Sequence, residues 1–103
     1  VDYNQIYLVD DGSNVWALSS DNGASVWKQD KLHGRALTTP AWFGDYVVVG
    51  DFEGYIHILS RLDGRLLART RLDKAGIMAK PVQAGDNFYV FGMGGRLAAY
   101  TVE

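Results

Sequence analysis

Displaced by 41 residues, this 103-residue sequence aligns with itself without gaps, and nine of the 62 aligned pairs are identical. Composition alone would give roughly four. Most matches fall where a chain has to turn: Asp10/Asp51, Gly23/Gly64, Pro40/Pro81, Gly44/Gly85, Asp45/Asp86 and Gly54/Gly95, with Leu18/Leu59, Ser19/Ser60 and Val49/Val90 between them. Apolar positions align too, as Ile6/Val47/Phe88, Val15/Ile56/Leu97 and Leu18/Leu59/Tyr100. A period in the low forties built from short apolar runs is the spacing of propeller blades.

The full unit, residues 37–72, reads as four strands. The first is a segment around Thr38–Phe43, turning at Gly44-Asp45. Tyr46–Val49 is the second, followed by a turn through Asp51-Phe52-Glu53-Gly54. Tyr55–Leu59 is the third; the Asp63-Gly64 hairpin, where glycine tolerates positive φ, leads into a fourth over Arg65–Leu72. No run of ten residues has helical periodicity, and β-branched and aromatic residues dominate the apolar runs. On the same template, Ile6–Val9, Val15–Leu18 and Ala24–Lys31 are strands two to four of a preceding unit, and Met78–Val82, Phe88–Phe91 and Leu97–Thr101 are strands one to three of a following one.

The expected fold is therefore all-β: about 2.5 four-stranded antiparallel blades, with residues 1–32 a partial blade, 33–72 a complete blade and 73–103 a blade lacking its outer strand. The unbroken apolar run Tyr46-Val47-Val48-Val49 calls for a sheet covered on both faces, which stacked blades provide. Two and a half blades do not close a ring. The sequence thus predicts a fragment of a larger propeller, or a chain completed by another, that aggregates, oligomerises or is poorly ordered when alone.

Composition narrows the chemistry. With no cysteine, disulfide frameworks, zinc–thiolate sites and cysteine nucleophiles are excluded. A formal net charge of −2 argues against a dedicated nucleic-acid binder. Charge is uneven, however: residues 1–53 carry eight acids and three bases, residues 54–103 four acids and seven bases, and five of the ten bases lie between Arg61 and Lys74. Arg65, Arg69 and Arg71 share parity on one predicted strand, so they are expected on one face, where they could meet an acidic partner. Phe52, at a turn tip, is the least core-like aromatic and a candidate contact point.

No catalytic, cofactor or metal residue is assigned. His57 aligns with Trp16 and Ala98, which reads as a packing slot, and His33 reads as a surface loop residue. Asp51 and Glu53 resemble a carboxylate pair, but the aligned positions do not preserve it, and no neighbouring group suggests a raised pKa. Asp45, Asp63 and Asp86 sit beside glycine in turns. Asp10-Asp11-Gly12-Ser13-Asn14 lacks the spacing and distal Glu of a calcium loop. Gly92-Met93-Gly94-Gly95-Arg96 fails the phosphate-loop pattern at Leu97 and reads as strand–turn–strand.

Ser20-Asp21-Asn22-Gly23-Ala24-Ser25-Val26-Trp27-Lys28 resembles the outer-strand signature of pyrroloquinoline-quinone-type propeller repeats, in which an Asp/Asn-Gly hairpin leads to a Trp that packs between blades. Leu62-Asp63-Gly64-Arg65 repeats the turn, but Ala68 replaces the Trp. More closely, Ile6–Asp10, Leu37-Thr38-Thr39-Pro40 and Val48–His57 resemble the C-terminal blades of the BamB family, the propeller lipoproteins of the outer-membrane β-barrel assembly machinery of Gram-negative bacteria. That resemblance implies an eight-bladed, lipid-anchored parent at the periplasmic face of the outer membrane. It implies a non-enzymatic scaffold that binds the barrel-forming subunit BamA and assists insertion of outer-membrane proteins, with unfolded substrates a further partner. The alternatives are a quinone-dependent dehydrogenase propeller, which in that family needs a Cys pair and a calcium-binding acid cluster, or a ligand-sensing propeller domain.

Overall fold

A computed structural model describes residues 3–101; Val1, Asp2, Val102 and Glu103, at the outer bounds of the expected first and last blades, lie outside them. The described chain is all-β, with three antiparallel sheets in sequence order. The first holds β1 (Gln5–Val9), β2 (Val15–Ser19) and β3 (Ser25–Gln29). The second holds β4 (Ala41–Phe43), β5 (Tyr46–Gly50), β6 (Tyr55–Ser60) and β7 (Leu66–Arg71), and the third β8 (Val82–Ala84), β9 (Asn87–Phe91) and β10 (Leu97–Thr101). Within each sheet every strand pairs with the next in sequence, the up-and-down order of a propeller blade. No helix is long and apolar enough to cross a membrane among the described residues.

Both inner strands β4 and β8 begin later than the sequence suggests. The expected Thr38–Phe43 strand starts at Ala41, and the one expected around Met78–Val82 lies at Val82–Ala84. Pro40 and Pro81 explain this, because neither has an N–H to give the ladder, so pairing begins just after them. Upstream, Thr38 closes its own bonds to β5: its N–H donates to the Gly50 carbonyl and its hydroxyl accepts from the Gly50 N–H.

The core is two layers between three sheets. Val47, Val49 and Leu59 of the second sheet bury against Val15, Ala17 and Trp27 of the first. On the opposite face, Val48 and Ile56 join Ala41 and Phe43 against Phe88 and Val90 of the third. Val47, Val48 and Val49 are fully buried, as a doubly covered strand requires; each contributes about 1.5–3 kcal/mol of apolar transfer. Phe43 stacks on Phe88 and Phe88 on Tyr100, with centroids 4.6 and 5.1 Å apart.

Trp27 joins the first two sheets. Its indole lies over Gly64 of the β6–β7 hairpin, where a Cβ would overlap the ring, and its Nε1–H donates to the Arg61 carbonyl at 2.9 Å. Gln29 Nε2 donates to the Gly64 carbonyl at 2.9 Å. The two outer faces are different. Ile6, Leu8 and Val26 on the first sheet, and Val82, Phe91 and Leu97 on the third, are exposed apolar side chains.

Candidate functional site

The β5–β6 turn, Asp51 to Gly54, brings together most of the polar side chains of interest. It is tied to both flanking connections: the Phe52 N–H donates to the Arg35 carbonyl, the Leu72 N–H to the Gly54 carbonyl and the Ile77 N–H to the Asp51 carbonyl. Asp51 is fully buried at its centre. One carboxylate oxygen, Oδ1, accepts from the N–H groups of Glu53 (3.0 Å) and Tyr55 (2.9 Å). The other, Oδ2, meets His57 Nε2 at 2.7 Å and Arg35 Nη1 at 3.1 Å.

Burial alone would raise the Asp51 pKa. The bonds from His57, the Tyr55 N–H and Arg35 outweigh it, and the carboxyl sits below its ordinary value. An ionised carboxylate only accepts, so the imidazole is the Nε2–H tautomer. Burial pushes the His57 pKa down; Asp51 pulls it up, Arg35 and Arg69 push it down again, and the outcome is a lowered value. The pair at neutral pH is therefore carboxylate and neutral imidazole. Position 57 is buried, as a packing slot is, but its ring also carries a hydrogen bond to the Asp51 carboxylate, which the repeat alignment does not reveal.

The first repeat explains what was missed. Asp10, aligned with Asp51, accepts from the N–H groups of Gly12 and Asn14 on one oxygen and from Trp16 Nε1 at 2.8 Å on the other. The Trp16 bond and the turn N–H groups hold its pKa at about 2. Trp16 and His57 look unrelated as letters, yet each supplies a ring N–H to a turn carboxylate. In the third repeat the aligned pair is Gly92 and Ala98, and the acid comes from elsewhere. Asp73, in the connection after β7, accepts from the N–H groups of Gly94 (2.9 Å) and Arg96 (3.4 Å) on Oδ2, and from that of Ala75 on Oδ1. The Gly92–Arg96 loop, a turn as expected, thus points its N–H groups at a carboxylate of the same chain.

Beside this frame lies a cationic cluster. Arg35, Arg69 and Arg71 place their guanidinium carbons 5.9, 5.0 and 5.3 Å from the Tyr55 ring centroid. Arg35 also reaches Glu53 at 3.5 Å, so one guanidinium bridges the two carboxylates that resembled an acid–base pair. Arg65 does not join them. Tyr55 pairs with Arg71 and His57 with Arg69, but a register shift between Ile58 and Leu59 pairs Leu59 with Leu66, putting Arg65 out of phase with the other two. Phe52 is 53% exposed at the same turn. His33 is exposed, its ring against Gly12. Among the described residues, no three His, Asp or Glu side chains converge where a metal ion could sit.

Comparison with known proteins adds identity. Residues 1–103 match the family model for "Outer membrane protein assembly factor BamB". The BamB of Pseudomonas aeruginosa is 44% identical over 101 residues, covering 98% of this chain and 27% of that protein. That of Bordetella pertussis is 51% identical over 81 residues (79% and 21%), and that of Escherichia coli K12 is 39% identical over 101 residues (98% and 26%). The chain thus spans about a quarter of the relatives it matches. Among solved structures, BamB from Moraxella catarrhalis superposes with a TM-score of 0.89 at 22% identity, covering 99% of this chain and 30% of that one. A quinohemoprotein alcohol dehydrogenase from Pseudomonas putida gives 0.77 at 19% identity, covering 98% and 18%. At these identities the structural likeness is one of fold: propeller-type blades.

Proposed function

The chain belongs to the BamB family of outer membrane protein assembly factors, and from that membership we propose that it is part of a non-enzymatic scaffold in the outer-membrane β-barrel assembly machinery. Residues 1–32, 33–72 and 73–103 then form part of one blade, a complete blade and a further blade in the C-terminal part of a propeller. The parent protein is lipid-anchored at the periplasmic face of the outer membrane. It holds a BamA-like barrel-forming subunit through its loops and assists folding and insertion of outer-membrane proteins, whose unfolded strands can pair with exposed sheet edges. Neither metal nor organic cofactor takes part.

The family match over residues 1–103 carries this reading. The local chemistry agrees with it. Asp10, Asp51, His57 and Asp73 spend their hydrogen-bonding capacity on turn N–H groups and on one another, as parts of a rigid frame do. The test is co-purification of the tagged full-length protein from detergent-solubilised outer membranes. The barrel-forming subunit is expected in the eluate, and its absence removes the reading. The dehydrogenase alternative draws on the fold likeness to the quinohemoprotein. Quinone absorbance in the purified protein, with calcium-dependent alcohol oxidation, would replace the scaffold by that enzyme; ligand-induced stabilisation by a small molecule would favour the sensing domain.

A further inference from the structure

We propose that Arg35, Arg69 and Arg71, gathered round Tyr55 at the β6–β7 rim of the second sheet, form a docking site for an acidic protein segment that presents two carboxylates.

Three guanidinium groups around one phenol ring repel one another, and the π face offsets only part of that. Their anionic partners are unequally shared. Arg35 has both Asp51 and Glu53, whereas Arg69 and Arg71 make no ion pair among the described residues. The Arg71 Nε–H is turned onto the Glu53 carbonyl, which fixes the side chain without neutralising it. Two unneutralised guanidinium groups on one ring, that of Arg71 held by the Glu53 carbonyl, are what a pair of carboxylates recognises through paired N–H bonds.

The cluster is open although its neighbour is in place. Tyr55 and His57 lie on the face of the second sheet that packs on the first, the face of Val49 and Leu59. Arg69 and Arg71 remain exposed with the first sheet seated there. The first repeat does not reproduce the cluster: the residues aligned with Arg69 and Arg71 are Lys28, over the Trp16 ring, and Asp30. Arg69 and Arg71 offer two separate guanidinium groups. A segment with two carboxylates gives each its own anionic partner, which a single lipid phosphodiester with one charge does not, so a protein segment fits better than a lipid headgroup. The inference rests on the scaffold reading only in taking the partner to be a protein.

The test uses the full-length protein and a fluorescein-labelled peptide of alternating Asp and Gly, with a Ser-for-Asp peptide, inorganic phosphate and phosphatidylglycerol vesicles as separate arms. Binding of the acidic peptide is expected to fall about tenfold or more in Arg69→Gln/Arg71→Gln and to be unchanged in Arg65→Gln, which is on the same strand but out of phase. The unfolding midpoint reports whether the double variant is folded. If it is not, Arg69→Lys/Arg71→Lys, which keeps the charge and loses the fork, is expected to show a smaller loss. Equal binding by the neutral peptide, equal loss in Arg65→Gln, no binding of the acidic peptide by the wild type, or a charge-dependent preference for vesicles or phosphate would each overturn the proposal. Retention of the barrel-forming subunit is scored separately, so failure of the scaffold reading is distinguishable from failure of this site.

Discussion

The carboxylate of Asp73 occupies the space that a side chain at Gly92 would fill. In the first two repeats the turn is held by an acid at its own first position, Asp10 or Asp51, bonded to the N–H groups two and four residues on. The third repeat has glycine there, and its equivalent N–H groups, of Gly94 and Arg96, turn to Asp73 from the preceding connection. The interaction is retained while the chain position of its acceptor has moved.

This substitution in space predicts coupling. Asp73→Ala strands two turn N–H groups and is expected to cost about 1–3 kcal/mol. Gly92→Asp alone places a second carboxylate on the first and is expected to cost about as much. The double variant should recover most of the loss, with a coupling energy of about 1–3 kcal/mol by urea denaturation. Strictly additive effects would show that Asp73 does not stand in for the missing acid.

Acid should weaken the fold in two stages. The lowered His57 pKa means that the unfolded chain binds a proton more readily than the folded one. Stability is therefore complete above the ordinary imidazole value of 6.5 and declines as pH falls below it. The lowered carboxyls act in the same direction further down: stability present above 3.8 is lost as pH approaches about 2, the value for Asp10. His57→Gln is expected to flatten the upper stage of the thermal midpoint against pH and leave the lower one. An unchanged upper stage would mean that another group sets it.

Trp27 should be the costliest single truncation between the first two sheets. Trp27→Ala removes the ring packed on Gly64 and the bond to the Arg61 carbonyl, an expected loss of about 3–5 kcal/mol. Gly64→Ala is disfavoured twice, by the ring and by a φ of +77°, and should cost about 1–3 kcal/mol. Guanidinium titration checks both; a loss under 1 kcal/mol for Trp27→Ala would demote the contact.

The 103-residue chain by itself should self-associate through its outer faces. Ile6 lies opposite Leu18 and Leu8 opposite Trp16 on the first sheet, and Phe91 lies opposite Leu97 on the third. Ile6→Lys/Leu8→Lys is expected to shift sedimentation toward the monomer. A wild-type chain that is already a cooperatively melting monomer would contradict this.

The period and turn residues made the three sheets and most of their strands legible, because hairpin glycines and apolar alternation are local signals. What they hid was chemistry shared by unlike residues. Trp16 and His57 both donate a ring N–H, but aligned as letters they look like an indifferent slot. Asp73 reaches a turn 21 residues away, a contact with no periodic signature. The bulge at Ile58/Leu59 follows from how β6 and β7 pair, so strand parity alone misplaced Arg65 relative to Arg69 and Arg71. The prolines at 40 and 81 were visible, and their missing N–H groups could have set the start of β4 and β8.

The indole of Trp27 seated on the next hairpin has a mechanical corollary. The aligned residues on β7 are Ala68 and Thr70, and neither offers the third sheet the grip that Trp27 and Gln29 give the second. Under tension along the polypeptide, resistance is therefore graded at the outer strands: the joint nearer the N-terminus is bolted there, the other relies on the Phe43–Phe88 stack and the Asp73 bonds further in, and the staves come away from the C-terminal end first.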